Sequence, residues 1–289
     1  MAVTKQGSSQ FERLETLIQS TGGRTLPLPP RLARIYGAFR MLGSASRCHV
    51  FTNFVTTLDG VVSLQVKGHS GGGDISGFSG QDRLVMGLLR AVSDIVIVGS
   101  GTLEADPKHL WTPEAICPEF AADYRKLARD LRKSTAALNV VVSSSGSLNL
   151  RLPVFASGRV PAMIVTTLQG AKRLLKQKIP DTVKIQTVRR TSGEIPAAAI
   201  LESVSRVSSG ARILVEGGPR LLGSFYKERL MNEQFLSLAP QLAGRETGDR
   251  RMSLVMGKLF APRDPRWGTL IDARRGSRLL FLRYSFTRR

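Results

Sequence analysis

The segment Arg212-Ile213-Leu214-Val215-Glu216-Gly217-Gly218-Pro219-Arg220-Leu221-Leu222-Gly223 constrains the fold more than any other stretch of the chain. An apolar run that stops at two consecutive glycines reads as a buried strand ending in a sharp turn. Pro219 then stands at a helix start, where its fixed φ suits the first turn and its missing N–H is not needed. A strand passing straight into a helix is a unit of an α/β sheet. The same turn puts bare backbone amides and the positive end of a helix beside the carboxylate of Glu216, an arrangement that suits a phosphate close to the backbone. Taken alone, the turn also fits an ordinary glycine loop in any α/β protein.

The rest of the chain alternates in the same way. Strand-like runs occur at 50–55, 95–98, 138–142, 162–165, 183–188, 213–215, 235–238 and 279–284, with helical periodicity at 81–91, 120–131, 169–176 and 197–207 between them. Alternating βα units predict a mostly parallel central sheet with flanking helices, and the last run predicts an antiparallel C-terminal strand. Residues 1–47 differ. Phe11, Leu14, Leu17 and Ile18, then Leu32, Ile35, Tyr36 and Phe39, have helical spacing on either side of Pro27-Leu28-Pro29-Pro30. They predict two short helices, a helical extension preceding a main domain over 48–289. Gly68–Gly73 reads as a glycine-rich loop, and His69 and His109 as loop histidines on the surface.

Charge is the unusual bulk property: 42 basic against 22 acidic residues give +20, with a pI near 11.1. Such a field attracts polyanions and phosphorylated small molecules alike. The arginines are spread out, without a basic helix, interleaved aromatics or zinc-finger spacing, so nucleic-acid contact is expected to be non-specific at most. The densest group, Arg245, Arg250, Arg251, Arg263, Arg266, Arg274, Arg275, Arg278, Arg288 and Arg289, reads mainly as a solvated face. No apolar run approaches the ~20 residues of a membrane span, and the polar first ten residues do not resemble a secretory signal. Cys48 and Cys117 are expected as free thiols in the cytoplasm, and no metal site is expected.

Five blocks together resemble the riboflavin-biosynthesis reductases of the RibD C-terminal type, a family similar in fold to dihydrofolate reductase. In order they are Asn53-Phe54-Val55-Thr56-Thr57-Leu58-Asp59-Gly60, Leu89-Arg90-Ala91, Gly99-Ser100-Gly101-Thr102-Leu103-Glu104-Ala105-Asp106, Glu216-Gly217-Gly218-Pro219, and Phe235-Leu236-Ser237-Leu238-Ala239-Pro240-Gln241-Leu242-Ala243-Gly244. The resemblance implies an NADPH-dependent oxidoreductase that reduces a 5-amino-6-(5-phosphoribosylamino)pyrimidine to its ribitylamino form, acting as a homodimer. It places the cofactor against Thr102, Asp106, Ser144, Gly217, Gly218, Pro219, Leu221 and Leu222, and the substrate against Asn53, Arg90, Lys108, Leu110 and Glu216. The family's frequent zinc deaminase half, with its His-x-Glu and Pro-Cys-x-x-Cys signature, has no counterpart, so the expectation is a stand-alone reductase.

Residue chemistry adds to this and leaves alternatives open. The glycines are not a dinucleotide fingerprint of the Rossmann type, since Glu104 stands where a third glycine belongs. Small hydroxyls in Ser143-Ser144-Ser145 suit a 2′-phosphate or form an ordinary polar loop. Asp59 either caps its own turn or faces Glu216 across a cleft as a catalytic pair. Arg90 either meets the substrate or complements the end of its helix. After Asp106-Pro107 the family usually has an arginine for the substrate phosphate, whereas this chain has Lys108 and His109, and a lysine binds phosphate only as a point charge. A dihydropterin or dihydrofolate substrate therefore stays open, as does a basic nucleic-acid-binding protein built on a reductase fold.

Overall fold

Parallel strands must be joined by crossovers, and each parallel step here is bridged by at least one helix. The computed structural model describes residues 10–42, 48–133, 136–191, 193–207 and 211–286. The chain begins with β1 (Glu15–Gln19), β2 (Arg24–Thr25), α1 (Pro30–Tyr36) and β3 (Arg40–Met41). It continues with β4 (His49–Thr56), β5 (Val61–Ser63), α2 (Gly73–Ser76), α3 (Gly80–Val92) and β6 (Ile95–Gly99). Next come α4 (Ser100–Ala105), α5 (Pro113–Ile116), α6 (Ala121–Asp130), β7 (Leu138–Ser143), α7 (Pro153–Ala156) and β8 (Ala162–Thr166). α8 (Leu168–Leu174), β9 (Val183–Thr187), α9 (Ala197–Ser205), β10 (Arg212–Val215) and α10 (Pro219–Lys227) follow. The last described elements are β11 (Glu233–Leu238), β12 (Met252–Ser253), β13 (Thr269–Arg275) and β14 (Leu280–Ser285).

Among the described residues ten strands form one sheet in the order β1-β13-β14-β11-β4-β10-β6-β7-β8-β9. From β11 to β9 all neighbours are parallel. β14, β13 and β1 are added antiparallel. The sequence pattern thus anticipates the parallel body and β14 but not β13. The central strands are apolar on both faces, as a sheet covered on both sides requires. Phe51, Val96, Val98 and Leu214 pack under Leu84, Leu88 and Leu89 of α3. Val50, Ile95, Ile97 and Val215 pack under Ile200 of α9 and Leu222 and Phe225 of α10.

The expected first helix is a strand. Glu15–Gln19 pairs with β13 as the sheet's edge, and only the second half of the extension, α1, is helical. Its short apolar period yields to the open N–H and C=O groups along β13, which a strand can satisfy and a helix cannot. The solvated-face reading of the C-terminal arginines also needs correction at Arg274, which is 1% exposed. Its Nε and Nη2 donate to the two oxygens of Asp272 at 2.8 and 2.9 Å. Nη2 also donates to the Ala38 carbonyl at 2.9 Å, and Nη1 to Thr16 Oγ1 at 3.3 Å and to the Tyr36 carbonyl. Arg245, Arg250, Arg263, Arg275 and Arg278 are exposed as expected; Arg288 and Arg289 lie outside the described residues.

Candidate active site

The parallel strands β6 and β10 lie side by side and end together. Their pairing continues past the strand ends, with Glu216 N–H donating to Ile97 O at 3.0 Å and Gly99 N–H to Gly217 O at 3.1 Å. Each strand then enters a helix through glycine, α4 after Gly99 and α10 after Gly218. Neither helix has a side-chain cap, whereas α3 is capped by Ser79 and α8 by Thr167. Two sets of first-turn N–H groups therefore open at one end of the sheet.

The two glycines of the turn do different work. A Cβ on Gly217 would sit 2.5 Å from Thr102 Oγ1, so the packing of α4 against the turn requires glycine there. A Cβ on Gly218 would meet only Thr102 Oγ1, at 3.6 Å. Nothing inside the protein demands glycine at 218, and its bare backbone leaves the room that a dinucleotide pyrophosphate needs at a helix start. Thr102 is half-buried beside this turn and Asp106 is exposed at the end of α4. The Ser144 carbonyl is tied to Thr167 Oγ1 at 2.9 Å, while the Ser144 hydroxyl takes no partner among the described residues. Leu221 is half-buried against the core, and Pro219 is buried. Leu222 is a correction. It is fully buried and its N–H goes to the Gly218 carbonyl at 3.1 Å, so it builds α10 and offers no group to a ligand.

Behind the turn lies a buried pair. Arg90, in the last turn of α3, has five N–H donors, and all are engaged. Nε lies 3.0 and 2.9 Å from the Glu216 oxygens, and Nη2 reaches Glu216 Oε2 at 2.6 Å and Met86 Sδ at 3.4 Å. Nη1 lies 2.8 Å from His109 Nε2 and donates to the Thr112 carbonyl at 3.2 Å. Arg90 is thus a clamp on Glu216, with no donor left for a substrate, which corrects its expected role. Burial holds the Glu216 carboxyl above the usual carboxylate range, against the pull of Arg90. His109 is no surface histidine: burial first and the Arg90 charge second push it down to about 3, so it is neutral.

Asp59 does not pair with Glu216. Its carboxylate accepts from Thr57 Oγ1 at 2.6 Å and from the Ala243 and Gly244 N–H groups at 3.1 and 2.8 Å. The Thr57 bond, then the backbone bonds, lower it to about 2, and it latches the loop after β11 to the turn after β4. Lys108 is exposed and Leu110 is a core residue, 5% exposed.

The residue that sequence reasoning missed is Asp82. It is 4% exposed in the first turn of α3 and accepts from Ser237 Oγ on β11 at 2.6 Å. Burial raises it to about 6, with the nearby Glu216 charge adding to that and the Ser237 and Ser76 bonds opposing it. Asn53, on β4 beside Phe235, lies in the same layer with a buried Oδ1 that has no partner among the described residues. In sequence, Ser79-Gly80-Gln81-Asp82 reads as a helix cap, and Ser79 Oγ does accept the Asp82 N–H at 3.3 Å. The capping signal hides the carboxyl's second position, facing the sheet.

The 2,5-diamino-6-ribosylamino-4(3H)-pyrimidinone 5′-phosphate reductase of Archaeoglobus fulgidus is 28% identical over 200 residues, covering 68% of this chain and 83% of that protein. The riboflavin biosynthesis protein RibD of Chlamydia muridarum is 30% identical over 164 residues, 57% of this chain, which spans only 40% of that protein's length. Among solved structures, a pyrimidine reductase-like protein from Corynebacterium diphtheriae shares the fold, with a TM-score of 0.65 at 16% identity over 89% of this chain and 99% of that one. The motif blocks and paired helix starts fall within residues 48–256, which match the family described as RibD C-terminal domain. The chain therefore belongs to the RibD C-terminal domain family.

Proposed function

We propose that this chain is an NADPH-dependent reductase that converts a ribosylaminopyrimidine phosphate into its ribitylamino form in riboflavin biosynthesis. The observation that carries the reading is the meeting, at one end of the sheet, of two uncapped glycine-started helices with the carboxyls of Glu216 and Asp82. Bound NADPH supplies a hydride to the ring-opened sugar imine. The chain's own part is to hold two ligands in register and to provide charge. The amides of the α10 turn hold phosphate, and the free Ser144 hydroxyl favours a 2′-phosphate. Asp82, poised near neutrality, presents a carboxyl to the amino edge of a pyrimidine. Titration of the protein with NADPH and NADH, then a screen of pyrimidine and pterin substrates by loss of nicotinamide absorbance, tests the reading. Tighter NADH binding, or no turnover of any of these, overturns it.

Gly218→Val is expected to raise the Kd for NADPH at least about tenfold by crowding the phosphate, with an unchanged melting temperature. Unchanged affinity in the folded variant would remove the turn from the cofactor site.

A dihydropterin substrate is the second reading, favoured by Asp82, since a buried carboxyl suits an aminopyrimidine edge whether or not a phosphate is attached. Lys108 separates the two. One ammonium on a substrate phosphate is worth about 1.5–3 kcal/mol, so Lys108→Ala raises KM roughly ten- to a hundredfold for the phosphorylated pyrimidine and leaves its dephosphorylated analogue unaffected. Equal responses make Lys108 a surface charge and favour the pterin.

We also propose a cytoplasmic homodimer. Both cysteines are free, as in a reducing compartment. The edge strand β1 leaves Leu17 and Ile18 half exposed, a surface that a second copy would cover. Sedimentation measures the mass directly.

A further inference from the structure

Beside the glycine turn after β10 the polar groups form a continuous chain, Asp106–His109–Arg90–Glu216. His109 Nδ1 lies 3.4 Å from Asp106 Oδ2, and its Nε2 lies 2.8 Å from Arg90 Nη1. An arginine can only donate, so Nε2 must be the acceptor and the ring proton must sit on Nδ1, toward Asp106. The ring is fixed edge-on to Trp111, with centroids 5.2 Å apart. The imidazole thus takes the one Arg90 donor that neither Glu216, Met86 nor the Thr112 carbonyl engages, and it stands on the loop that carries Asp106 and Lys108.

Resting on the reductase reading of the site, we propose that His109 is a positioning residue: as a neutral acceptor it locks the Arg90 guanidinium and through it sets the orientation and ionisation of Glu216. The groups that face Glu216 are Arg90 and Asp82, both from α3, with His109 acting only through Arg90. Without the imidazole acceptor, one guanidinium N–H is left buried and unpaired, and Arg90 relieves this by swinging toward other carbonyls. Glu216 then loses part of the charge that holds it ionised and takes up a proton more easily.

The test has two arms. The chain contains three histidines, so comparing nitrogen-detected imidazole spectra of the wild type and His109→Phe assigns the His109 signals. The expected result is a neutral ring protonated on Nδ1 that does not titrate between pH 8 and pH 5. A ring that titrates there, or the opposite tautomer, overturns the proposal without reference to activity. In the kinetic arm His109→Phe lowers kcat roughly ten- to a hundredfold and leaves the KM for NADPH within about twofold. It also moves the acid limb of the kcat/KM profile to higher pH. His109→Gln, whose Oε1 can accept from Nη1, restores both. A Phe variant that loses only thermal stability, with its pH limb in place, shows a packing residue and overturns the positioning role. A wild type that turns over no pyrimidine or pterin instead defeats the reductase reading, and the spectroscopic arm still decides the state of His109.

Discussion

Arg274→Ala is expected to lower the melting temperature by roughly 6–15 °C, the largest loss of stability from any single substitution considered for this chain. The substitution strips Asp272, itself 4% exposed, of a bidentate partner. It also leaves the Tyr36 carbonyl without its donor and the Ala38 carbonyl with Gln19 Nε2 alone. Removing one member of a buried ion pair costs about 3–5 kcal/mol, because the other charge stays behind in a place that cannot solvate it. The guanidinium also stacks on the Tyr36 ring, 4.2 Å from its centroid, and that contact goes too. Arg274→Lys should recover little, since one ammonium cannot reach Asp272, Thr16 and two carbonyls at once. Calorimetry measures the effect, and limited proteolysis locates it: cleavage should begin within residues 14–42, which Arg274 ties to the C-terminal hairpin. A variant that melts like the wild type would make the cluster electrostatically neutral.

That tie explains why the N-terminal segment was misread. Where a strand lies between two others, its run of β-branched and aliphatic residues is long enough to declare itself, as in Ile95–Gly99 and Leu138–Ser143. β1 is five residues at a sheet edge, exposed on both sides at Leu17 and Ile18, so its pattern carries no face information. Its place is set by partners more than 250 residues away, Arg274 and Arg275 of β13. In a chain this basic a buried arginine such as Arg274 gives no sign in sequence that it differs from its solvated neighbours.

The glycine turn after β10 is more legible in the sequence than the buried layer around Asp82, for a physical reason. The strand end, the two glycines and the helix-starting Pro219 stand together in one short window of sequence, although the contact that requires glycine at 217 comes from the Thr102 side chain on α4. The proposed substrate side is assembled from polar side chains on α3, β4, β11 and the loop around His109, which are far apart in sequence. Arg90 and Asp59 both looked like ligands because their partners, Glu216 and the 243–244 amides, are distant in sequence. Their hydrogen bonds assign them to holding the site in shape.

Asp82→Asn is expected to reduce kcat/KM by at least about a hundredfold while making the protein more stable in alkaline solution. The two effects have one cause. In the fold the Asp82 carboxyl is raised to about 6, foremost by burial, from an ordinary value of 3.8. Between those values the folded state holds a proton that the unfolded chain has released, so stability falls as pH rises through that window. Above about pH 7 the full difference is lost, roughly 3 kcal/mol. Asparagine keeps an acceptor for Ser237, can donate to Ser76 Oγ, and never ionises, so its advantage should be near zero around pH 3 and reach about 3 kcal/mol at pH 8. Denaturant melts at the two pH values measure this, and NADPH affinity should not change. Equal stability gains at both pH values would mean better packing rather than relief of a buried charge. Retained turnover would mean that the carboxyl does not meet the substrate. Lost turnover together with a stability gain confined to high pH would assign the carboxyl to the ligand rather than to the fold.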